Sequence, residues 1–102
     1  GVARHGYATL SNISPVTIPV STGCKDVVVT VTVKGGWSYT STSDVTMRIG
    51  GVGVGMMYVA PGAMYQMRIA YPASDITLTT TIDPATYQIV VSWCADYGGW
   101  SL

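Results

Sequence analysis

The sequence contains no glutamate and no phenylalanine, and it carries few charges of either sign. Five lysine and arginine residues and five aspartates make up 10% of the 102 residues, against 48% hydrophobic residues, and the formal net charge is zero. An average soluble domain has about 25% charged residues, and a chain this short leaves much of its surface exposed after folding. We therefore expect apolar surface that contacts copies of this chain or another protein.

The scarcity of ionisable residues also bears on catalysis and on nucleic acid. His5 is the only histidine, whereas acid–base or nucleophilic catalysis needs a base or paired carboxylates. The positive charges are scattered, and phosphate binding needs them clustered. Each aspartate lies beside turn residues, where a hydrogen bond to the backbone accounts for it: Asp26, Asp44, Asp75, Asp83 and Asp96. We expect no enzyme activity, no cofactor, no metal and no nucleic-acid partner.

The pattern of apolar residues predicts β-structure. No window keeps the apolar spacing of an amphipathic helix, and no run approaches the roughly 20 apolar residues that cross a bilayer, so no membrane partner is expected. The run VVVTVTV at 27–33 places four valines on one face, as in a strand with one buried side. Similar alternation recurs at 45–49 and 76–82, between turn signals. About eight short strands predict an all-β fold, an antiparallel β-sandwich or jelly roll, as one domain over 15–102.

The beginning of the chain fits this scheme less well. Residues 1–14 are predicted to form a loose N-terminal arm, and Pro19 confines the segment 16–20 to the edge of a sheet. An edge strand needs cover, and an arm with few internal contacts could reach a neighbouring subunit. A frayed terminus is the alternative for residues 1–6. The segment GVGVG at 51–55 is predicted to be flexible or closely packed.

Two cysteines and a set of aromatic residues are the candidate site residues. Cys24 and Cys94 permit a disulfide, and the alternative is that both are small buried apolar residues. The tetrapeptide Gly-Gly-Trp-Ser occurs at 35–38 and at 98–101. It suggests exposed rings that stack on sugars or fill a partner's pocket, with Trp37, Tyr39, Tyr97 and Trp100 as candidates. The alternatives are that Trp37 and Trp93 cap the core and that the repeat is chance.

The order of five sequence segments along the chain carries a resemblance to a known class of proteins. The segments are ISPVTIPVSTG, the Val/Thr strand, DVTMRIGG, YVAPGAMYQMRI and TTTIDPATYQIVVSW, within residues 13–93. This succession resembles the small β-sandwich accessory proteins of tailed-phage virions, which decorate or cement capsids or form fibre bases. The resemblance implies an oligomer without catalysis or cofactors.

These observations together predict a non-enzymatic structural protein of a bacteriophage virion. We expect a homo-oligomer, with a trimer as one candidate, that attaches to a capsid or tail protein through the arm and apolar strand faces. The alternative is a secreted carbohydrate-binding or adhesin module. In that case the four aromatic residues would bind glycans and Cys24 and Cys94 would form a disulfide.

Overall fold

The computed structural model of the chain describes residues 4–34, 43–83 and 88–98. Alternating apolar and polar residues, the pattern of half-buried strands, form eight strands there. They are β1 (His5–Leu10), β2 (Val16–Ile18), β3 (Asp26–Lys34), β4 (Ser43–Ile49), β5 (Val52–Val59), β6 (Met64–Ala70), β7 (Ile76–Thr80) and β8 (Gln88–Asp96). Across these ranges no helix is long and apolar enough to cross a membrane.

The strands form two antiparallel sheets of four strands each. The first sheet has the order β1-β8-β3-β6 and the second sheet the order β2-β7-β4-β5. The chain passes from one sheet to the other at every connection except the one between β4 and β5. Two packed sheets with such crossing connections are the arrangement of a jelly roll. The predicted all-β sandwich class is confirmed.

The core lies between the two sheets and is built from the inward positions of the strands. In β3 the pattern VVVTVTV buries Val27, Val29, Val31 and Val33 completely or nearly so. The other sheet contributes fully buried residues from β4 and β7, including Met47 and Leu78. Burying one aliphatic side chain of this size stabilises a fold by about 1.5–3 kcal/mol, so the alternation seen in the sequence supplies the main driving force.

The prediction of a loose arm over residues 1–14 is wrong for β1. This strand pairs with β8 from His5 opposite Cys94 to Leu10 opposite Ile89, and Leu10 is only 1% exposed. The physical reason is a long-range fit: Gly6 has no side chain, which leaves room for the indole of Trp93 against its backbone. Residues 1–3 lie outside the described residues.

Two further segments can be compared with the sequence analysis. β2 occupies the edge of the second sheet, which confirms the edge position inferred from Pro19. Residues 52–55 of the GVGVG segment belong to β5, with a β-bulge in which Met47 lies opposite Gly55 and Arg48 opposite Gly53. Val54 is therefore the extra residue, and bulges of this kind occur often at sheet edges.

Candidate interaction surfaces

The sandwich has two flanks, each bordered by one edge strand of each sheet. Among the described residues, no further strand pairs with the outer side of these edge strands. β1 and β2, connected by a tight turn in which Ser11 and Ser14 form a bridge, border one side, the β1–β2 flank. β5 and β6, connected through residues 60–63, border the opposite side, the β5–β6 flank. An edge strand presents unpaired N–H and C=O groups that can pair with another chain.

Large apolar side chains are exposed on the β5–β6 flank. Val52, Val54, Met56 and Tyr58 of β5 are 48–66% exposed, and Met64 at the start of β6 is 70% exposed. Scattered apolar residues are normal on a protein surface, whereas several on one pair of edge strands indicate a contact surface. Methionines suit either a core or a contact surface. The structure divides them, since Met57 is buried, Met67 packs on the core, and Met56 and Met64 face outward.

The β1–β2 flank also exposes apolar side chains. Tyr7 in β1 and Ile13 in the turn that follows are each 79% exposed. Neither stood out in the sequence, because β1 was not recognised as a strand. The two flanks therefore share a chemistry of open backbone edges beside exposed apolar groups, although they lie on opposite sides of the molecule.

Of the four aromatic residues proposed as a stacking platform, the structure describes only Tyr97. Its ring packs against the core and lies 5.9 Å from the guanidinium carbon of Arg4. Its hydroxyl accepts a hydrogen bond from the backbone N–H of Ser21 over 3.2 Å. Tyr97 thus makes structural contacts on several sides. Trp37, Tyr39 and Trp100 lie outside the described residues, and the platform stays a prediction. Trp93 packs against the core, as the core-cap interpretation expected.

The cysteines are two free thiols with different surroundings. Cys24 is buried in the core cluster, and Cys94 is exposed. Cys94 lies opposite Val28 on the outer face of the first sheet, whereas its neighbour Ala95 is buried. The predicted disulfide between Cys24 and Cys94 is therefore not formed in this structure, because the two side chains lie on opposite sides of one sheet. The alternative, a small buried residue, describes Cys24 but not Cys94.

Burial also changes the acidity of one thiol. Burial raises the pKa of the Cys24 thiol above its ordinary value, and the nearby Asp26 carboxylate raises this pKa further. The thiol donates a hydrogen bond to the backbone carbonyl of Asp26 over 3.5 Å. Because the thiolate is the reactive form of cysteine, Cys24 is held in an unreactive state.

No arrangement among the described residues has the features of an active site. Those residues contain no group of three or more His, Cys, Asp or Glu side chains that could hold a metal ion. A cavity of about 310 Å³ lies beside Cys24 and is lined by residues 20–24 and 72–73. Its lining contains no charged side chain, whereas a ligand pocket of this size usually has a few convergent polar groups. The ion pair of Arg68 with Asp26 lies on the outer face of the first sheet, and the arginine is 71% exposed.

Comparisons with known proteins give a likeness of fold. No protein-family model matches the chain, and no curated protein matches it in sequence. Among solved structures, one match is a chain from Bacillus endospore appendages, described as a novel family of disulfide-linked pili. The TM-score is 0.51 with 15% sequence identity, over 88% of this chain and 81% of that chain. At this identity the similarity shows the shared β-sandwich fold.

Proposed function

We propose that this protein is a non-enzymatic structural subunit that assembles with copies of itself into a fibre on a cell surface or outside the cell. The observation that carries the proposal is the pair of opposite flanks, each with open strand edges and exposed apolar side chains. A low content of charge fits the same function, because an assembled subunit exposes less of its surface to water.

The position of the flanks determines the kind of assembly. A contact between the β5–β6 flank of one copy and the β1–β2 flank of the next is heterologous, and it leaves one free flank at each end. Such a contact repeats without closing unless the rotation between subunits forms a ring. Edge strands of neighbouring copies add main-chain hydrogen bonds across the contact, as in β-strand addition. Burial of residues such as Val52, Met64 and Tyr7 supplies the apolar part.

The similarity of fold to the appendage protein is a second, independent support for this proposal. The appendage protein has the same fold, and it is described as forming disulfide-linked pili. In the present chain the exposed Cys94 offers a thiol to a thiol of another molecule. Joining the two thiols forms one S–S bond and releases two protons and two electrons, which dissolved oxygen accepts. Cys24 is buried and is not available in the same way.

Attachment to a phage particle and glycan binding, the two functions expected from the sequence, are not tested by the structure. Attachment to a capsid or tail protein in a phage virion stays a prediction, since no comparison links the chain to a virus. Glycan binding also stays a prediction, because three of its four candidate residues lie outside the described residues. Both functions, like fibre assembly, require a protein that binds other molecules through its exposed surface.

Variants of the two flanks test the proposal. Val52→Lys/Met64→Lys places two charges on the β5–β6 flank, and Tyr7→Lys/Ile13→Lys places two on the β1–β2 flank. Lysine on an edge is a natural means of preventing edge contacts. The matched control, Thr30→Lys/Thr32→Lys, adds the same charge at half-buried positions of the central strand β3. We expect fibres from the native chain and the control by electron microscopy, and no fibres from either flank variant.

A mixture of the two flank variants shows whether the contact is heterologous. Each variant keeps one functional flank, so an equimolar mixture should form complexes joined by one flank contact, and no fibres, by light scattering and electron microscopy. A flank variant that dimerises through its own intact flank, so that charges placed on that flank as well abolish the dimer, would contradict the heterologous contact. Fibres from both flank variants would overturn the role of the flanks.

A further inference from the structure

The outer face of the second sheet carries one acidic and one basic residue at equal distances from a central threonine. Asp44, Thr46 and Arg48 alternate along β4 and point away from the core, because Val45 and Met47 between them are fully buried. The two charged residues lie about 13 Å apart along the strand, with Thr46 midway. Within one subunit they are too far apart to form an ion pair.

The neighbouring strand β5 carries a large exposed side chain near one end and a glycine near the other. Tyr58 lies opposite Asp44, Met56 opposite Thr46, and Gly53 opposite Arg48. The Tyr58 ring is 63% exposed. At Gly53 there is open space, since a Cβ added there would meet no atom within 4 Å. A large exposed ring therefore stands at one end of the strand pair and a gap at the other.

A second copy of the chain fits this face if it is turned by 180°. Consider an axis that lies parallel to the sheet, runs across the strands and passes over Thr46. The rotation places Asp44 of each copy over Arg48 of the other. It also places Tyr58 over the gap at Gly53 of the other copy, and the two Met56 side chains meet at the centre. Oppositely directed strands in two facing sheets about 10 Å apart are an ordinary packing arrangement.

We infer that the outer face of the second sheet binds the same face of a second copy in a twofold contact. Charge complementarity and the fit of a ring to a gap identify the occupant as this chain itself. Arg48 is already held over the sheet by a hydrogen bond from its Nη1 to Thr79 Oγ1 of 2.9 Å, and its other N–H donors remain for a carboxylate. The contact goes beyond fibre formation and does not depend on it.

The size of the face sets the strength of the contact. Four strands about 4.8 Å apart, of 3, 5, 7 and 8 residues, cover roughly 360 Å² on each copy. A stable interface buries about 800 Å² on each partner, so this contact is weak between two isolated subunits. Between two fibres the same contact would repeat at each subunit, and many weak contacts then hold the fibres side by side.

Charge-reversed variants test the contact and its geometry. Asp44→Lys places an ammonium group of each copy against Arg48 of the other, and Arg48→Asp places two carboxylates against each other. In the Tyr7→Lys/Ile13→Lys background, which removes the flank contact, each variant alone should self-associate about tenfold more weakly than the background chain by sedimentation equilibrium at low salt. An equimolar mixture of the two variants should restore association, because every pair across the contact is again of opposite sign.

The control is a mixture of Asp44→Lys with Lys34→Asp, which has the same net charges with one reversal placed at the exposed end of β3. In this mixture the Lys34→Asp copies should pair with one another as native copies do, and the Asp44→Lys copies should stay monomeric. Incorporation of Asp44→Lys into complexes to the same degree as in the first mixture would reduce the effect to net charge and overturn the inference. Unchanged self-association of both single variants would overturn it as well. Fibres that form from the flank contact but do not pair sideways would contradict this contact alone, whereas sideways dimers without fibres would contradict only the proposed function.

Discussion

Replacing Gly6 with alanine tests whether β1 is an integral strand of the sandwich. A Cβ at this position would lie 2.8 Å from Cη2 and 2.9 Å from Cε2 of Trp93. Carbon atoms pack at about 3.5–4.0 Å, so the indole must move by roughly 1 Å or β1 must separate from β8. Trp93 packs against the core, and overpacking of this kind costs about 1–3 kcal/mol.

The free energy of unfolding from urea denaturation measures this cost, and thermal unfolding gives a second value. A domain of this size loses about 4–8 °C in Tm for each kcal/mol. The matched control is Gly53→Ala, where the added methyl group enters open space and stability should change by less than about 0.5 kcal/mol. In a Trp93→Leu background the cost of Gly6→Ala should decrease, because the two residues are in contact.

Equal stability of Gly6→Ala and the native chain would refute this reasoning. Residues 5–10 would then be the loose arm that the sequence suggested, and the β1–β2 flank would lose one of its strands. A loss of the same size in the Trp93→Leu background would also refute it, since the cost would not come from the indole.

Three further predictions concern the core, the thiols and the surface. Leu78→Ala, at a fully buried position, should lower the free energy of unfolding by about 2–5 kcal/mol in urea denaturation, and a loss below about 1 kcal/mol would place Leu78 outside the core. A thiol reagent at pH 8 should label Cys94 rapidly and Cys24 only on unfolding. Because the Cys24 pKa is raised in the folded state, its contribution to stability is complete below the unfolded pKa of about 8.5 and is lost as the pH rises through the folded pKa; Cys24→Ala should lack this dependence. Arg68→Ala should lower the free energy of unfolding by less than about 1 kcal/mol, since the arginine is 71% exposed and water screens its ion pair with the mostly buried Asp26, and a larger, salt-independent loss would contradict this.

The fold class could be predicted because each strand carries its own signal. The alternating valines of β3 and the alternation in β4 and β7 indicate which residues are buried without knowledge of their neighbours. The order of strands could not be predicted in the same way. Among the strands of the described residues, only β4 and β5 are neighbours both in the chain and in a sheet, so the other pairings between these strands depend on contacts between distant segments.

The contact surfaces were harder to predict for related reasons. β1 was missed because the role of Gly6, which leaves room for an indole, depends on Trp93 near the other end of the chain. β5 was missed in part because the glycines of GVGVG resemble a loop, and in the structure Val54 between two of them is the extra residue of a bulge at an edge. The adjacent Met56 and Met57 face opposite ways, which only the position of the strand in the sheet decides. A period-2 reading carried through GVGVGMMY would have indicated a strand there, but not which of its sides is exposed.

The molar mass of the native chain in solution, measured by light scattering over a wide concentration range, tests the central claim of self-assembly most directly. A reducing agent in the buffer removes any contribution of disulfides. We expect the average mass to rise steadily with concentration and to pass beyond that of a dimer, as an open series of identical contacts requires. A mass equal to that of one subunit at every concentration would contradict the account.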